Sequence, residues 1–309
     1  VASAKRVVVT GATGLIGKEL CRKLAEKGYE IVVFTRRPDS ARRAVPGAAE
    51  YVRWTPSETG PWASSIEGAW AVVNLAGASI AGQRWNEQRK REIRDSRVVG
   101  TRGIVAAIKA ASRRPEVLVN ASAIGYYGPR DDQPLDETAP PGHDFLAELV
   151  RQWEAEALRA EEAGVRTVMV RSGIVLDKRE GALAQLMLPF RFFAGGPILP
   201  GTQWFSWIHH ADEAGIFMLA LEDGRARGPI NATAPNPQTN RDFVRTLGRA
   251  MGRPALLPVP GFALRLVVGE FAETLVTGQR VIPAKAQELG YRFRYPTSEA
   301  ALREILASG

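Results

Sequence analysis

The sequence predicts an α/β fold: a doubly wound parallel sheet with a smaller, interleaved C-terminal domain. Three observations carry this. Short β-branched runs alternate with segments of helical spacing as far as Ser172, as in a sheet whose strands are joined by crossover helices. A glycine loop, GATGLIG at residues 11–17, separates the first run from the first helical segment. Beyond Ser172 the pattern is broken by Pro189, Gly195-Gly196-Pro197, Pro200-Gly201, Pro229, Pro235 and Pro237, residues that punctuate regular structure rather than extend it.

Taken in order, RVVVT at residues 6–10 reads as a strand covered on both faces, because its apolar positions do not alternate with polar ones. Residues 18–27 place Leu20, Leu24 and Ala25 on one side and predict the first helix. EIVVFT at residues 30–35 is the second strand, so strand, loop, helix and strand close one βαβ unit. Residues 51–54 predict a third strand and AWAVVNLA at 69–76 a fourth. A long helix follows over 85–112, a strand starts at 117, a helix covers 144–163 and a strand 167–171. The later half predicts a helical run over 262–275 and a last helix over 297–306. The expected division is residues 4–235 for the sheet domain, with 176–205 contributing to the smaller domain, and 236–309 for the small domain over the sheet's carboxyl edge.

Composition narrows the function. With 45% apolar and 24% charged residues over 309 positions, the chain can bury a large core and is not a disordered one. A lone cysteine, Cys21, excludes an internal disulfide framework and a multi-cysteine zinc site, and three histidines make no metal site. No apolar run approaches the roughly 18 residues a membrane span needs, and no signal-peptide pattern opens the chain. The expected setting is soluble and reducing, with no membrane partner: the cytoplasm, or an organelle lumen such as the plastid stroma if a leader preceding Val1 has been removed. The net charge of +8 comes from 33 Arg and 8 Lys against 33 acids. Arg89, Lys90, Arg91, Arg94 and Arg97 are interleaved with Glu87, Glu92 and Asp95, which reads as a solvated helix face and makes nucleic acid the weaker partner.

The glycine loop carries the first chemistry. Gly11 permits the tight turn out of the strand, Gly14 lets backbone approach a pyrophosphate, and Gly17 lets helix pack on strand. The helix start then offers free N–H groups and the positive end of its dipole to phosphate. At the end of the second strand, where an NAD site would hold an acid for the ribose hydroxyls, the sequence reads Thr35-Arg36-Arg37. Two guanidiniums there suit the 2′-phosphate of NADP(H).

With GATGLIG, NLAG at 74–77, SAIGYYG at 122–128 and RSGIVL at 171–176 in this order, the chain resembles the extended short-chain dehydrogenase/reductases. RWNEQRKREIRDSR at 84–97, SWIHHAD at 206–212 and GQRVIPAKAQELGYRFRYP at 278–296 make it most similar to their atypical group labelled "epimerase family protein". The resemblance covers essentially the whole chain. It implies a Rossmann domain with a small C-terminal substrate domain, and NADP(H) as cofactor. By position it assigns the pyrophosphate loop to Gly11, Thr13, Gly14, Leu15, Ile16 and Gly17, and the 2′-phosphate clamp to Thr35, Arg36 and Arg37. It assigns the adenine and ribose wall to Leu75, Ala76 and Gly77, cofactor-facing helix positions to Glu92 and Arg97, and a nicotinamide contact to Val175.

One part of the family pattern is missing. Active members use a Tyr-x-x-x-Lys pair, in which Lys lowers the pKa of the Tyr that moves the hydroxyl proton. No Tyr here is followed four residues later by Lys, and Leu146 and Val150 stand at the matching positions of DFLAELVRQWEAEA. Two readings follow. In one, the chain is an oxidoreductase or epimerase acting on a carbonyl, alcohol or nucleotide-sugar-like substrate, with Ser122, Tyr126 and Tyr127 as candidate proton carriers. Gln203, Trp204, Trp207 and His209 are then the candidate substrate pocket. In the other, it binds NADP(H) without turnover, as a redox sensor or scaffold. Asp212 reads as a helix cap.

Overall fold

The computed structural model describes residues 4–56, 60–81 and 83–307. The chain forms β1 (Arg6–Thr10), α1 (Leu15–Glu26), β2 (Glu30–Thr35), α2 (Pro38–Ala44), β3 (Glu50–Arg53), β4 (Ala71–Asn74), α3 (Glu87–Ala110), β5 (Val117–Ala123), α4 (Phe145–Leu158) and β6 (Arg166–Ser172). Next come β7 (Ile174–Leu176), α5 (Gly181–Arg191), β8 (Trp204–Phe205), β9 (Trp207–His209), α6 (His210–Glu222) and β10 (Gly228–Ala232). The chain closes with β11 (Gln238–Thr239), α7 (Asn240–Met251), α8 (Gly261–Val268), α9 (Ala272–Val276), α10 (Ala284–Glu288) and α11 (Ser298–Ala307).

Seven strands form one parallel sheet in the order β3-β2-β1-β4-β5-β6-β10. The period of two along each strand decides which helix covers which face. Val7 and Val9 point to the side that packs α1 and α6, with Leu20, Leu24, Ile216 and Phe217. Val8, Val32, Val72 and Leu118 point to the other, with Ile104 and Ile108 of α3. Both faces are covered, so the strands carry unbroken apolar runs. Strand order reverses between β1 and β4, which opens a crevice at their carboxyl ends.

The later half crosses between two cores. Leu176, Leu183 and Phe190 join Trp207, Phe243, Leu247 and Leu302 in a second core, while α6 and β10 return to the main sheet. Neither α6 nor β10 shows a period in sequence. The helix is sandwiched, with Ala214, Ile216, Phe217, Met218, Ala220 and Leu221 all buried, so it lacks a polar stripe. The strand contains Pro229, tolerated because β10 is the sheet's edge and pairs with β6 alone. The helical run expected over 262–275 is broken at Gly269, which has φ +65 and lies so close to Arg84 that a Cβ would stand 2.8 Å from its Cγ. Among the described residues no helix is long and apolar enough to cross a membrane.

One buried acid makes the fold sensitive to pH. Glu213 on α6 is 0% exposed; one carboxyl oxygen takes the Ser172 hydroxyl, and the other meets no partner among the described residues. Burial pushes its pKa from 4.5 up to about 8. The folded state therefore holds a proton that the unfolded state releases, and stability falls as pH rises from 4.5 through 8. Glu213→Gln, which mimics the protonated form, should raise stability at pH 8 by roughly 1–3 kcal/mol and change little at pH 5. Urea midpoints measured at both pH values check this; an equal effect at both would contradict it.

Candidate dinucleotide site

The three loop glycines answer to different demands. Gly11 follows β1 with φ +66, and a Cβ there would lie 2.8 Å from the Leu75 carbonyl. At Gly17 it would lie 2.3 Å from the Gly11 oxygen and 2.6 Å from Ala12 Cα. Both are required by the chain's own packing. At Gly14 the nearest atom is the Gly11 oxygen at 3.4 Å, an ordinary contact. Nothing in the described chain requires glycine there; a side chain would occupy the open space before the first turn of α1. That turn has no side-chain cap and no acid, whereas Asn86, Asp144, His209 and Thr239 cap α3, α4, α6 and α7. Thr13 and Gly14 are exposed, and Leu15 and Ile16 half-buried. An uncapped helix start behind open space fits a pyrophosphate.

Beside it, the pairing of Thr10 with Phe34 brings the end of β2 next to the loop. Thr35 Oγ1 accepts from the Arg37 N–H at 3.2 Å and shapes the turn. Arg36 and Arg37 are exposed, and neither guanidinium meets a hydrogen-bonding or ionic partner among the described residues.

The wall at Leu75–Gly77 hangs on a buried polar network. Thr10 Oγ1 accepts from the Leu75 and Ala76 N–H groups, each at 3.1 Å, and donates to Asn74 Oδ1 at 2.7 Å. Asn74 Nδ2 donates to Asn120 and Thr101 at 2.7 and 2.9 Å. Trp153 Nε1 donates to Thr101 at 2.9 Å. Under this wall Arg97 donates to the Ala78 and Ile93 carbonyls at 3.0 and 3.1 Å. It meets no carboxylate, and burial, with Arg89 nearby, pushes its pKa down to about 10. Glu92 is exposed and accepts from Arg89 at 2.9 Å. The two helix positions thus differ: Arg97 lies against Gly77, where a Cβ would stand 3.0 Å from its Cζ, and Glu92 lies out in solvent.

The proton-carrier candidates also separate. Leu146 and Val150 of α4 are buried, with Leu146 packed against Gly125. Ser122 is 4% exposed and donates to Glu154 Oε1 at 2.5 Å. Arg171 grips the same carboxylate through Nε and Nη2, both at 2.8 Å, and donates to the Tyr127 hydroxyl at 3.0 Å. That hydroxyl donates to Asn231 Oδ1 at 2.7 Å. Tyr127 is 0% exposed, and burial pushes it up to about 12. Ser122 and Tyr127 are therefore committed to an interior network. Tyr126 is half-buried, the Arg171 guanidinium lies 3.5 Å from its ring centre, and its hydroxyl meets no described partner.

Of the pocket residues expected from sequence, two are half-buried and two lie inside. Gln203 Nε2 bridges the Ile198 and Leu275 carbonyls at 3.0 Å each. Trp204 Nε1 donates to Asp132 at 2.8 Å, under the Arg280 guanidinium. Trp207 is instead 0% exposed in the second core beside Phe243. His209 is 1% exposed: Nδ1 accepts from the Ala211 N–H at 3.0 Å, which leaves Nε2 protonated to meet Glu304 at 2.7 Å. The α6 cap is thus His209, not Asp212, whose carboxylate instead takes the Arg294 and Tyr295 N–H groups at 2.8 and 2.9 Å. Val175 is half-buried on β7 and pairs with Ile208 of β9. Sequence reasoning passed over Trp85, whose ring centre lies 5.2 Å from that of Phe271, tilted, and 5.5 Å from that of Phe145, edge to face, and which so joins the loop after Gly77 to the C-terminal segment.

The unequal glycines give a test. Gly17→Ala should cost about 1–3 kcal/mol of stability through overpacking. Gly14→Ala should melt near the parent temperature yet weaken NADPH binding at least tenfold. Calorimetric melting and titration of both variants would show it; normal binding by Gly14→Ala would remove the loop from the site.

Comparison with known proteins agrees with this geometry. The model of the NAD dependent epimerase/dehydratase family matches residues 7–232, and a domain of unknown function (DUF1731) matches 259–305. The chain is 42% identical to the chloroplastic epimerase family protein SDR39U1 homolog of Arabidopsis thaliana, over 98% of this chain and 87% of that one. It is 37% identical to the epimerase family protein YfhF of Bacillus subtilis, over 97% and 98%. The crystal structure of human epimerase family protein SDR39U1 with NADPH superposes with a TM-score of 0.87 at 38% identity, covering 97% of this chain and 98% of that one. UDP-glucose 4-epimerase of Thermotoga maritima, at 18% identity and TM-score 0.79, shares the fold. The chain belongs to the NAD dependent epimerase/dehydratase family, as an NAD(P)-binding Rossmann protein of the short-chain dehydrogenase/reductase type.

Proposed function

We propose that the chain binds NADP(H) in preference to NAD(H) and exchanges hydride with a carbonyl or alcohol carbon of a small molecule. The carrying observation is the unpaired Arg36 and Arg37 pair at the end of β2, beside the uncapped start of α1. The bound dinucleotide supplies the hydride; the protein supplies position and charge. The α1 amides hold the pyrophosphate, Arg36 and Arg37 clamp the 2′-phosphate, and Arg97 gains the negative partner it lacks within the chain. Val175 borders the nicotinamide end, and Tyr126 is the phenol free to carry a proton.

Titration of NADPH and NADH against the parent and Arg36→Ala/Arg37→Ala tests the cofactor reading. Losing two charge-assisted contacts should weaken NADPH about 100-fold and leave NADH nearly unchanged. Equal affinity of the parent for both cofactors would refute the preference.

Leu146 and Val150, apolar where the family pair stands, favour a second reading in which the bound dinucleotide is sensed and not turned over. NADPH oxidation against a panel of aldehydes and ketones separates the two. Turnover that falls about 100-fold in Tyr126→Phe supports the enzyme with Tyr126 as its proton carrier. Tight NADPH binding with no turnover across the panel supports the sensor.

A further inference from the structure

Of the nine large apolar side chains exposed among the described residues, eight fall in two stretches, 188–199 and 256–266. Phe192, Leu256, Phe262 and Leu266 are each more than 70% exposed. The stretches form one surface. They pair as a ribbon, with Leu257 N–H to Gly195 O at 3.1 Å, Val259 N–H to Pro197 O at 2.9 Å and Leu199 N–H to Val259 O at 3.0 Å. Leu199, Pro200, Phe262 and Arg265 line one groove beside the ribbon. At the other end the Arg253 guanidinium lies 4.3 Å from the Phe193 ring centre.

The charges within the two stretches are basic, and Glu273 of the neighbouring α9 meets one of them. Residues 186–200 and 250–268 contain Arg191, Arg253 and Arg265 and no Asp or Glu. Arg265 shares Glu273 at 3.2 Å, but Arg191 and Arg253 meet no carboxylate among the described residues. The backbone is equally distinctive. Pro197, Pro200, Pro254, Pro258 and Pro260 carry no N–H, and the ribbon's donors at 199, 257 and 259 are paired within it. Such an edge offers little to an added strand.

We propose that this lobe docks on an anionic membrane surface, with its Phe and Leu side chains at the acyl boundary and Arg191 and Arg253 on lipid phosphates. The lack of a spanning helix bears on crossing a bilayer, not on lying against one. Apolar protrusions flanked by Arg191 and Arg253, which meet no carboxylate among the described residues, are what such a surface attracts.

Cosedimentation with vesicles tests it. The full chain should pellet with vesicles of equal parts phosphatidylcholine and phosphatidylglycerol, not with phosphatidylcholine alone, and added salt should weaken binding. Phe192→Ser/Leu256→Ser/Phe262→Ser should lose binding tenfold or more. Arg191→Gln/Arg253→Gln should lose about 25-fold, at about fivefold per basic residue. Unchanged melting temperatures would establish that both variants remain folded. No pelleting with anionic vesicles would overturn the proposal. So would a dimer in light scattering that the apolar triple variant makes monomeric, because the lobe would then be an interface between copies.

Discussion

The buried ion pair between Arg171 and Glu154 is the contact on which the rest of the carboxyl edge depends. Their side chains are 3% and 7% exposed, and through them five parts of the chain meet. Arg171 ends β6, Glu154 stands on α4, Ser122 joins from β5, Tyr127 from the turn after it, and Asn231 from β10. Asn231 then passes the connection on, its Nδ2 donating to the Ile282 carbonyl at 3.0 Å and its backbone N–H to the Glu137 carboxylate at 2.8 Å. Removing one partner of such a pair strands a buried charge, at a cost of about 3–5 kcal/mol. Each nitrogen of Arg171 and each oxygen of Glu154 has a hydrogen-bond partner, and Ser122 and Tyr127 supply two of them, which is why two of the three hydroxyls near the family's catalytic position are unavailable for chemistry.

That commitment divides the crevice into two kinds of wall. The half beside the glycine loop is built from groups left open among the described residues: the uncapped α1 start, the unpaired Arg36 and Arg37, and Arg97 with carbonyls but no acid for company. The half where substrate chemistry would occur is built from closed groups. Leu146 and Val150 are packed, and Ser122 and Tyr127 are hydrogen-bonded inward. Tyr126 remains open because its ring faces Arg171, leaving the hydroxyl free.

The C-terminal region is part of this architecture rather than an appendage. Phe271 packs against Trp85 just before α3, and Gln279 Nε2 donates to the Ile124 carbonyl at 3.0 Å. The Arg130 N–H meets the Gly278 carbonyl at 2.9 Å. The segment between Phe271 and Gln279 therefore runs from the residues just before α3 to the turn after β5. Asp212 ties the chain down further along, at Arg294 and Tyr295.

Local pattern by itself determined the sheet strands up to β6, the helices α1, α3 and α4, the glycine loop and the two arginines at the end of β2; α2, seven residues long, was not legible. Each of those features is written in consecutive residues: unbroken Val runs for strands covered on both faces, a fixed glycine spacing, a charge pair at a strand end. The missing Tyr-x-x-x-Lys pair was legible for the same reason. Tertiary structure alone decided the rest. α6 and β10 have no period, because one is covered all round and the other is an edge strand with a proline. Trp207 and His209 resemble pocket residues in sequence, yet burial in the second core and a cap bond to Ala211 take them inside. Ser122, Tyr126 and Tyr127 look alike within SAIGYYG; what separates them is whether a hydroxyl meets a partner more than thirty residues away, as Ser122 meets Glu154 and Tyr127 meets Asn231. Contacts of that range have no signature in the local pattern of the chain, so only the folded molecule distinguishes the open phenol from the two closed hydroxyls.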